Sequence, residues 1–219
     1  FDFLENYDRA TILDVGCGSG MIAEYSIDRD FEFFGIDISS EMIDACINKF
    51  GHLNSTHFSV GKIQGLEFPD SFFDVVLCMG VLEYIDPNEI DSAFSEVFRV
   101  LKPNGLIIMS IMNEKSFFTW NKKKKNSIAK KLFGRNSNSE SYDGLSKAFD
   151  ENHVLSLLNS NQSTEVEIVF FGLNLLPSFL EHRLPNKFKV MLSKGLEFII
   201  KDRFKWPYMA FIVKARKGE

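Results

Sequence analysis

Short apolar runs and helical stripes take turns along the first half of this chain. Thr11–Val15 is an apolar run of strand length, and helical spacing resumes at Met21, Ile22 and Tyr25, predicting a helix to about Ile27. Phe31–Asp37 predicts a second strand. A helix over Glu41–Phe50 follows, burying Ile43, Cys46, Ile47 and Phe50 and stopping at Gly51. A third strand spans about Thr56–Val60 and a fourth Phe73–Met79. Asp86-Pro87-Asn88-Glu89 reads as a capping box, with Asp in the cap role and Pro at the first helical position. The helix it opens buries Ile90, Ala93, Phe94, Val97 and Leu101. Lys102-Pro103-Asn104-Gly105 then turns the chain into a fifth strand, Leu106–Met112.

The second half is less regular. Asn136–Ser146 is rich in Ser, Asn and Gly and is expected to be flexible. Asp150–Asn159 predicts a helix with Val154, Leu157 and Leu158 inward, and Thr164–Phe171 alternates as a sixth strand. Pro177–Phe204 is helical in patches, interrupted at Pro185, and Tyr208–Ala215 is a closing strand. Strands that alternate with helices predict an α/β domain with a mostly parallel sheet.

Composition narrows the class. At 219 residues, 45% apolar and 25% charged, the chain can build one good core, so a single domain over 1–219 is expected. A net charge of −5 argues against a nucleic-acid partner held by the whole surface. No apolar run reaches the ~18 residues of a membrane span. Cys17, Cys46 and Cys78 are odd in number and lack metal-ligand spacing, so they read as reduced thiols in a cytoplasmic protein, with no metal site expected. The sequence starts at Phe1 rather than Met, and the true N-terminus is expected upstream. The composition gives no oligomeric state.

The chemistry gathers at Ile12-Leu13-Asp14-Val15-Gly16-Cys17-Gly18-Ser19-Gly20, where the first strand ends in an acid and three alternating glycines. Such a turn lets the backbone visit φ > 0 and lets a ligand approach without a Cβ in the way. Two cofactors compete for it. Gly18-Ser19-Gly20-Met21-Ile22-Ala23 satisfies the dinucleotide pattern, but that register leaves Asp14 and Gly16 without a role. An acid beside the turn repels the pyrophosphate of NAD and suits a ligand that carries cations, such as the α-ammonium and sulfonium of S-adenosylmethionine. Asp37 ends the second strand at the spacing, about 20 residues, at which an acid meets a ribose; its other reading is a cap for the following helix.

The Asp-x-Gly-x-Gly-x-Gly stretch strongly resembles motif I of the class I S-adenosylmethionine-dependent methyltransferases, small-molecule branch. Gly80-Val81-Leu82-Glu83-Tyr84-Ile85 after the fourth strand resembles the family's motif IV, and the helix–Pro–Gly–strand passage around Pro103 also fits. The resemblance implies a Rossmann-like, doubly wound seven-stranded sheet, its last strand antiparallel between strands five and six. It also implies a cap over the strand C-termini, built here from 113–147 and 172–207. One or two further helices would normally precede the first strand, for which Phe1–Ala10 is too short. The cofactor it implies is S-adenosylmethionine, held by Asp14, Gly16, Cys17, Gly18, Gly20, Asp37, Ile38, Met42, Ile63, Met79 and Gly80. Ile38 would lie against the adenine, the Ile63 N–H would reach the ring, and Met79 or Gly80 would offer carbonyls to the methionine part. Relatives usually carry an acid where Lys62 stands, which accepts from the adenine 6-amino group; here Gln64 or a backbone carbonyl would take that contact, or the adenine pocket would be more open.

For the reaction, Tyr84 is the one catalytic candidate, with plain packing as its alternative; relatives often have histidine there. The implied activity is methyl transfer to a small-molecule acceptor. An RNA or other anionic acceptor is the alternative that would use Lys122–Lys125 with Phe117, Phe118 and Trp120, against a reading of that run as a solvated loop. A catalytically silent cofactor-binding subunit is a further alternative. An NAD-dependent oxidoreductase is disfavoured by Asp14 and by the lack of a Tyr-x-x-x-Lys pair.

Overall fold

The computed structural model describes residues 7–26, 29–114, 148–173 and 208–219. Seven strands form one sheet: β1 (Arg9–Val15), β2 (Asp30–Asp37), β3 (Thr56–Val60), β4 (Phe73–Met79), β5 (Leu101–Met112), β6 (Ser163–Leu173) and β7 (Tyr208–Lys217). Their order is β3-β2-β1-β4-β5-β7-β6. The first five strands run parallel, and β7 is antiparallel to both β5 and β6. The chain leaves β1 toward β2 and β3, then returns to the other side of β1 for β4. The order therefore reverses between β1 and β4, the place where open α/β sheets take their ligands.

Ile12–Val15 of β1 are all buried, as a central parallel strand covered on both faces must be. Leu13 and Val15 point to one face with Val76 and Cys78. They meet Phe94 and Val97 of α2 (Ile90–Val100), with Val154 and Leu158 of α3 (Glu151–Ser160) in the same core. Ile12, Phe33, Val75 and Leu77 point to the other face, against Phe50 of α1 (Ser40–Phe50). Four of the 23 phenylalanines form a cluster here. Phe34, Phe68, Phe72 and Phe73 meet edge to face with centroids 4.9 to 5.7 Å apart, each pair adding ~0.5–1.5 kcal/mol to simple burial.

Most expected elements form, with informative differences. Among the described residues the helix expected after the glycine turn is only a 3-10 turn, Ala23–Tyr25, with Ile22 and Ala23 packed on the core and Met21 and Tyr25 exposed. Ile47 is 48% exposed: the buried stripe of α1 runs through Ile43, Cys46 and Phe50 and leaves Ile47 at its edge. The Lys102–Gly105 turn sits inside β5 as a bulge, since Phe73 pairs with Leu101 and Val75 already with Leu106. The capping box is half formed. Asp86 accepts the Asn88 N–H at 2.9 Å, but the Glu89 carboxylate takes the Gln64 amide at 3.0 Å instead of turning back to the cap. Leu101, read as the last helical residue, is buried at the start of β5.

Residues 115–147 and 174–207 lie outside the described residues, and with them most of the expected cap, Phe117, Phe118, Trp120, Lys122–Lys125 and the patchy helix Pro177–Phe204. Among the described residues no helix is long and apolar enough to cross a membrane, and no three His, Cys, Asp or Glu side chains gather as a metal site.

Candidate functional site

The site begins where β1 ends. Asp14 is 1% exposed, and its Oδ2 has no hydrogen-bond partner. Burial first, and then the charge of Asp37, pushes its carboxyl up to about 7. Beyond it the chain turns sharply: the Gly16 and Cys17 N–H groups both donate to the Ile36 carbonyl, at 2.7 and 3.0 Å, and Gly20 donates to the Cys17 carbonyl at 3.0 Å. Gly16, Gly18 and Gly20 sit at φ +72°, +52° and +81°, the left-handed region.

The three glycines differ in what surrounds them. A Cβ on Gly16 would lie 2.3 Å from Val81 Cγ2, and one on Gly20 would lie 2.6 Å from Phe50 Cε2. A Cβ on Gly18 would meet nothing within 4 Å. Two glycines thus let the protein close against itself, and the one between them faces open space.

Gly18 is held from both sides. Its N–H donates to Asp37 Oδ2 at 2.9 Å, and its carbonyl accepts from the Cys46 thiol at 3.2 Å. The second Asp37 oxygen accepts the Ser39 N–H at 2.9 Å. Capping of α1 itself falls to the Ser39 hydroxyl, which accepts from the Met42 N–H at 3.3 Å. Asp37 is therefore a clamp on the glycine turn, and each of its oxygens keeps a lone pair for a ligand hydroxyl. Beside it Ile38 is 73% exposed and Met42 43% exposed.

The loop after β3 forms the next wall. Gly61 donates to the Asp37 carbonyl at 3.0 Å, and Lys62–Gly65 make a tight turn. Lys62 is exposed, whereas Ile63 is buried. This stretch borders a concavity of about 530 Å³ lined by Ile36, Val60, Lys62, Gln64 and Phe68 among others. The loop is pinned from α2: Arg99 donates to the Leu66 and Phe68 carbonyls, both at 2.8 Å, and pairs with Asp70 and Glu96, while Glu96 accepts the Leu66 N–H at 2.8 Å.

The end of β4 closes the third side. Met79 is half-buried; Gly80, at φ +72°, donates its N–H to the Ser110 hydroxyl at 2.8 Å. A 3-10 turn follows, Leu82–Tyr84, in which Tyr84 is 50% exposed. Glu83 is turned inward. Its Oε2 is buried without a partner, its Oε1 lies 3.7 Å from the position a Cβ on Gly80 would take, and burial pushes its carboxyl up. Sequence reasoning singled out Tyr84 and passed over Glu83; the available signal was an acid set between the apolar Leu82 and Ile85. The Ser110 contact and the Arg99 node were missed as well, because both cross between elements.

A turn whose middle glycine faces open space, with one unpartnered carboxylate oxygen at its base and another in the turn after β4, fits a ligand that carries positive charge. Residues 12–105 match the family model described as a methyltransferase domain. A putative methyltransferase, YqeM, of Bacillus subtilis is 33% identical over 48% of this chain and 43% of its own length. A ubiquinone biosynthesis O-methyltransferase of Pasteurella multocida is 32% identical over 47% of this chain and 46% of its own. The chain thus spans less than half the length of these curated relatives. A SAM-dependent methyltransferase of Archaeoglobus fulgidus superposes with a TM-score of 0.68 at 17% identity, over 99% of this chain and 90% of that one. Residues 12–105 are thus similar to a methyltransferase domain, and the sheet has the fold of solved SAM-dependent methyltransferases.

Proposed function

We propose that the protein transfers a methyl group from S-adenosylmethionine to a small-molecule acceptor. The observation that carries this reading is Asp14, fully buried under the glycine turn with an unpartnered oxygen. Burying such a carboxylate is costly unless a ligand supplies the missing charge. NAD would bring a pyrophosphate to this point and add repulsion. The ubiquinone-biosynthesis relative supports a small acceptor. The Lys122–Lys125 run would then be a solvated segment rather than a grip on RNA.

When bound, the cofactor supplies an activated methyl group on a sulfonium. The chain's own residues have simpler tasks. Asp14 meets positive charge from below, and the open face of Gly18 allows close approach. Asp37 would offer lone pairs to ribose hydroxyls, while Ile38 and Met42 would flank the adenine and the Ile63 N–H would reach its ring. Met79 and Gly80 border the methionine end. The protein's contribution is alignment and exclusion of water, so Tyr84, half in solvent, is not required as a proton carrier.

The test is calorimetry of the purified protein with S-adenosylmethionine, S-adenosylhomocysteine and NAD. Binding of the first two and not the third is expected. Binding of NAD with no response to S-adenosylhomocysteine would overturn the reading.

A further inference from the structure

Glu83 is not explained by the fold. It follows the open Gly80 turn, stands between buried Leu82 and buried Ile85, and directs one carboxylate oxygen into a place with no hydrogen-bond donor. A side chain so disposed costs stability in the empty protein. Its location is defined by contacts on either side. Val81 packs on Gly16 of the β1 turn, and Gly80 is fastened to Ser110 on β5. Val15 pairs with Cys78 across the point where the strand order reverses, and the Cys78 thiol is pushed up by burial first and then by the charges of Asp14 and Glu83. Two carboxylates, each with one unpartnered oxygen, therefore stand at neighbouring strand ends, one on β1 and one just after β4.

We propose that Glu83 is the residue by which this protein tells a sulfonium cofactor from the neutral thioether left after methyl transfer. The inference rests on the S-adenosylmethionine reading above and assigns it a second acid. The two acids divide the work by chemistry. An α-ammonium is present in cofactor and product alike, so a carboxylate that meets it, as Asp14 would, cannot discriminate. A sulfonium has no N–H or O–H to donate, so only an electrostatic partner recognises it. A carboxylate with one oxygen free of donors and apolar residues on either side is strong in that role. The described groups around Glu83 are the Cys78 thiol, the Ser110 hydroxyl that holds Gly80, and the exposed Tyr84. None is a cation that would neutralise it beforehand.

The experiment compares three probes by calorimetry on wild type and Glu83→Gln: S-adenosylmethionine, S-adenosylhomocysteine, and sinefungin, which carries an ammonium where the sulfonium methyl stands. The expected result is a loss of about tenfold for S-adenosylmethionine and sinefungin, with S-adenosylhomocysteine nearly unchanged; the unchanged arm also certifies the fold of the variant. An equal loss for all three, or no loss, overturns the proposal and leaves Glu83 a structural or acceptor-side residue. If wild type binds none of the three, the underlying cofactor reading fails instead. Should Glu83→Gln not fold, wild type gives the second readout. Titrated at mildly acidic pH in buffers of different ionisation enthalpy, S-adenosylmethionine should release more protons than S-adenosylhomocysteine, and equal release contradicts the assignment.

Discussion

The Gly18 N–H donates to the Asp37 carboxylate at 2.9 Å, so the acid that ends β2 holds the middle of the glycine turn that ends β1. The same carboxylate takes the Ser39 N–H on its other oxygen. Positions far apart in sequence thus form one rigid corner at the reversal of the sheet, with the Gly18 carbonyl fixed by Cys46 from α1.

Replacing Asp37 with Ala should therefore act twice. Cofactor affinity should fall by ~1.5–3 kcal/mol, the range for hydrogen bonds to a charged group, and the melting temperature should drop as two backbone amides lose their acceptor. Asp37→Asn keeps one acceptor oxygen and should recover part of both. A lower melting temperature with unchanged affinity would reduce Asp37 to a clamp.

Asp14 makes the empty protein pH-sensitive. Its carboxyl rises from an ordinary 3.8 to about 7 in the fold, so the native state keeps a proton that the unfolded chain gives up. The stability linked to this group is fully present below about pH 4, falls as pH rises and is lost above about pH 7, on the order of 4 kcal/mol in all. Asp14→Asn should flatten that slope in urea melts at about pH 5 and about pH 8. A ligand bearing an ammonium reverses the sign, favouring the ionised acid, so wild-type affinity for S-adenosylhomocysteine should climb with pH across the same interval. Parallel melts for wild type and Asp14→Asn would contradict this account.

The glycines should separate by phenotype. Gly16→Ala and Gly20→Ala meet Val81 and Phe50 at impossible distances and should unfold the turn or the domain. Gly18→Ala meets no protein atom and carries only the left-handed backbone cost, ~1–2 kcal/mol, yet it places a methyl where the ligand must pass. A folded Gly18→Ala that has lost cofactor binding is the expected result, read by thermal melting and calorimetry together.

Arg99 is the test of the far wall. Arg99→Met removes the donors that hold the Leu66 and Phe68 carbonyls and frees Glu96 and Asp70. About 2–4 kcal/mol of stability should be lost, from several bonds of ~0.5–1.5 kcal/mol each. Faster amide exchange confined to residues 61–70 would place the effect in this loop; uniform exchange would not.

Much of this was legible in the sequence because it is local. An apolar run ending in Asp14 and three glycines encodes a buried strand, a sharp turn and a charge in one stretch, and the Thr56–Val60 and Phe73–Met79 runs match β3 and β4 end to end. What escaped depends on contacts between distant elements. Ile47 shares the helical spacing of its neighbours but sits at the edge of the packed stripe. Glu83 reads as an ordinary surface acid until the inward course of the Leu82–Tyr84 turn is seen. Arg99 looks like one more cation in a last helical turn, and only the fold brings it beneath the β3 loop.

A crystal structure of the protein with S-adenosylhomocysteine tests the central claim most directly. The account predicts the ligand across the ends of β1 and β2, its ribose hydroxyls within hydrogen-bond reach of Asp37, its ammonium toward Asp14 and its backbone-facing edge over Gly18. A ligand bound elsewhere, or one lying over this turn with Asp37 still bonded only to Gly18 and Ser39 and with nothing cationic near Asp14, would contradict it.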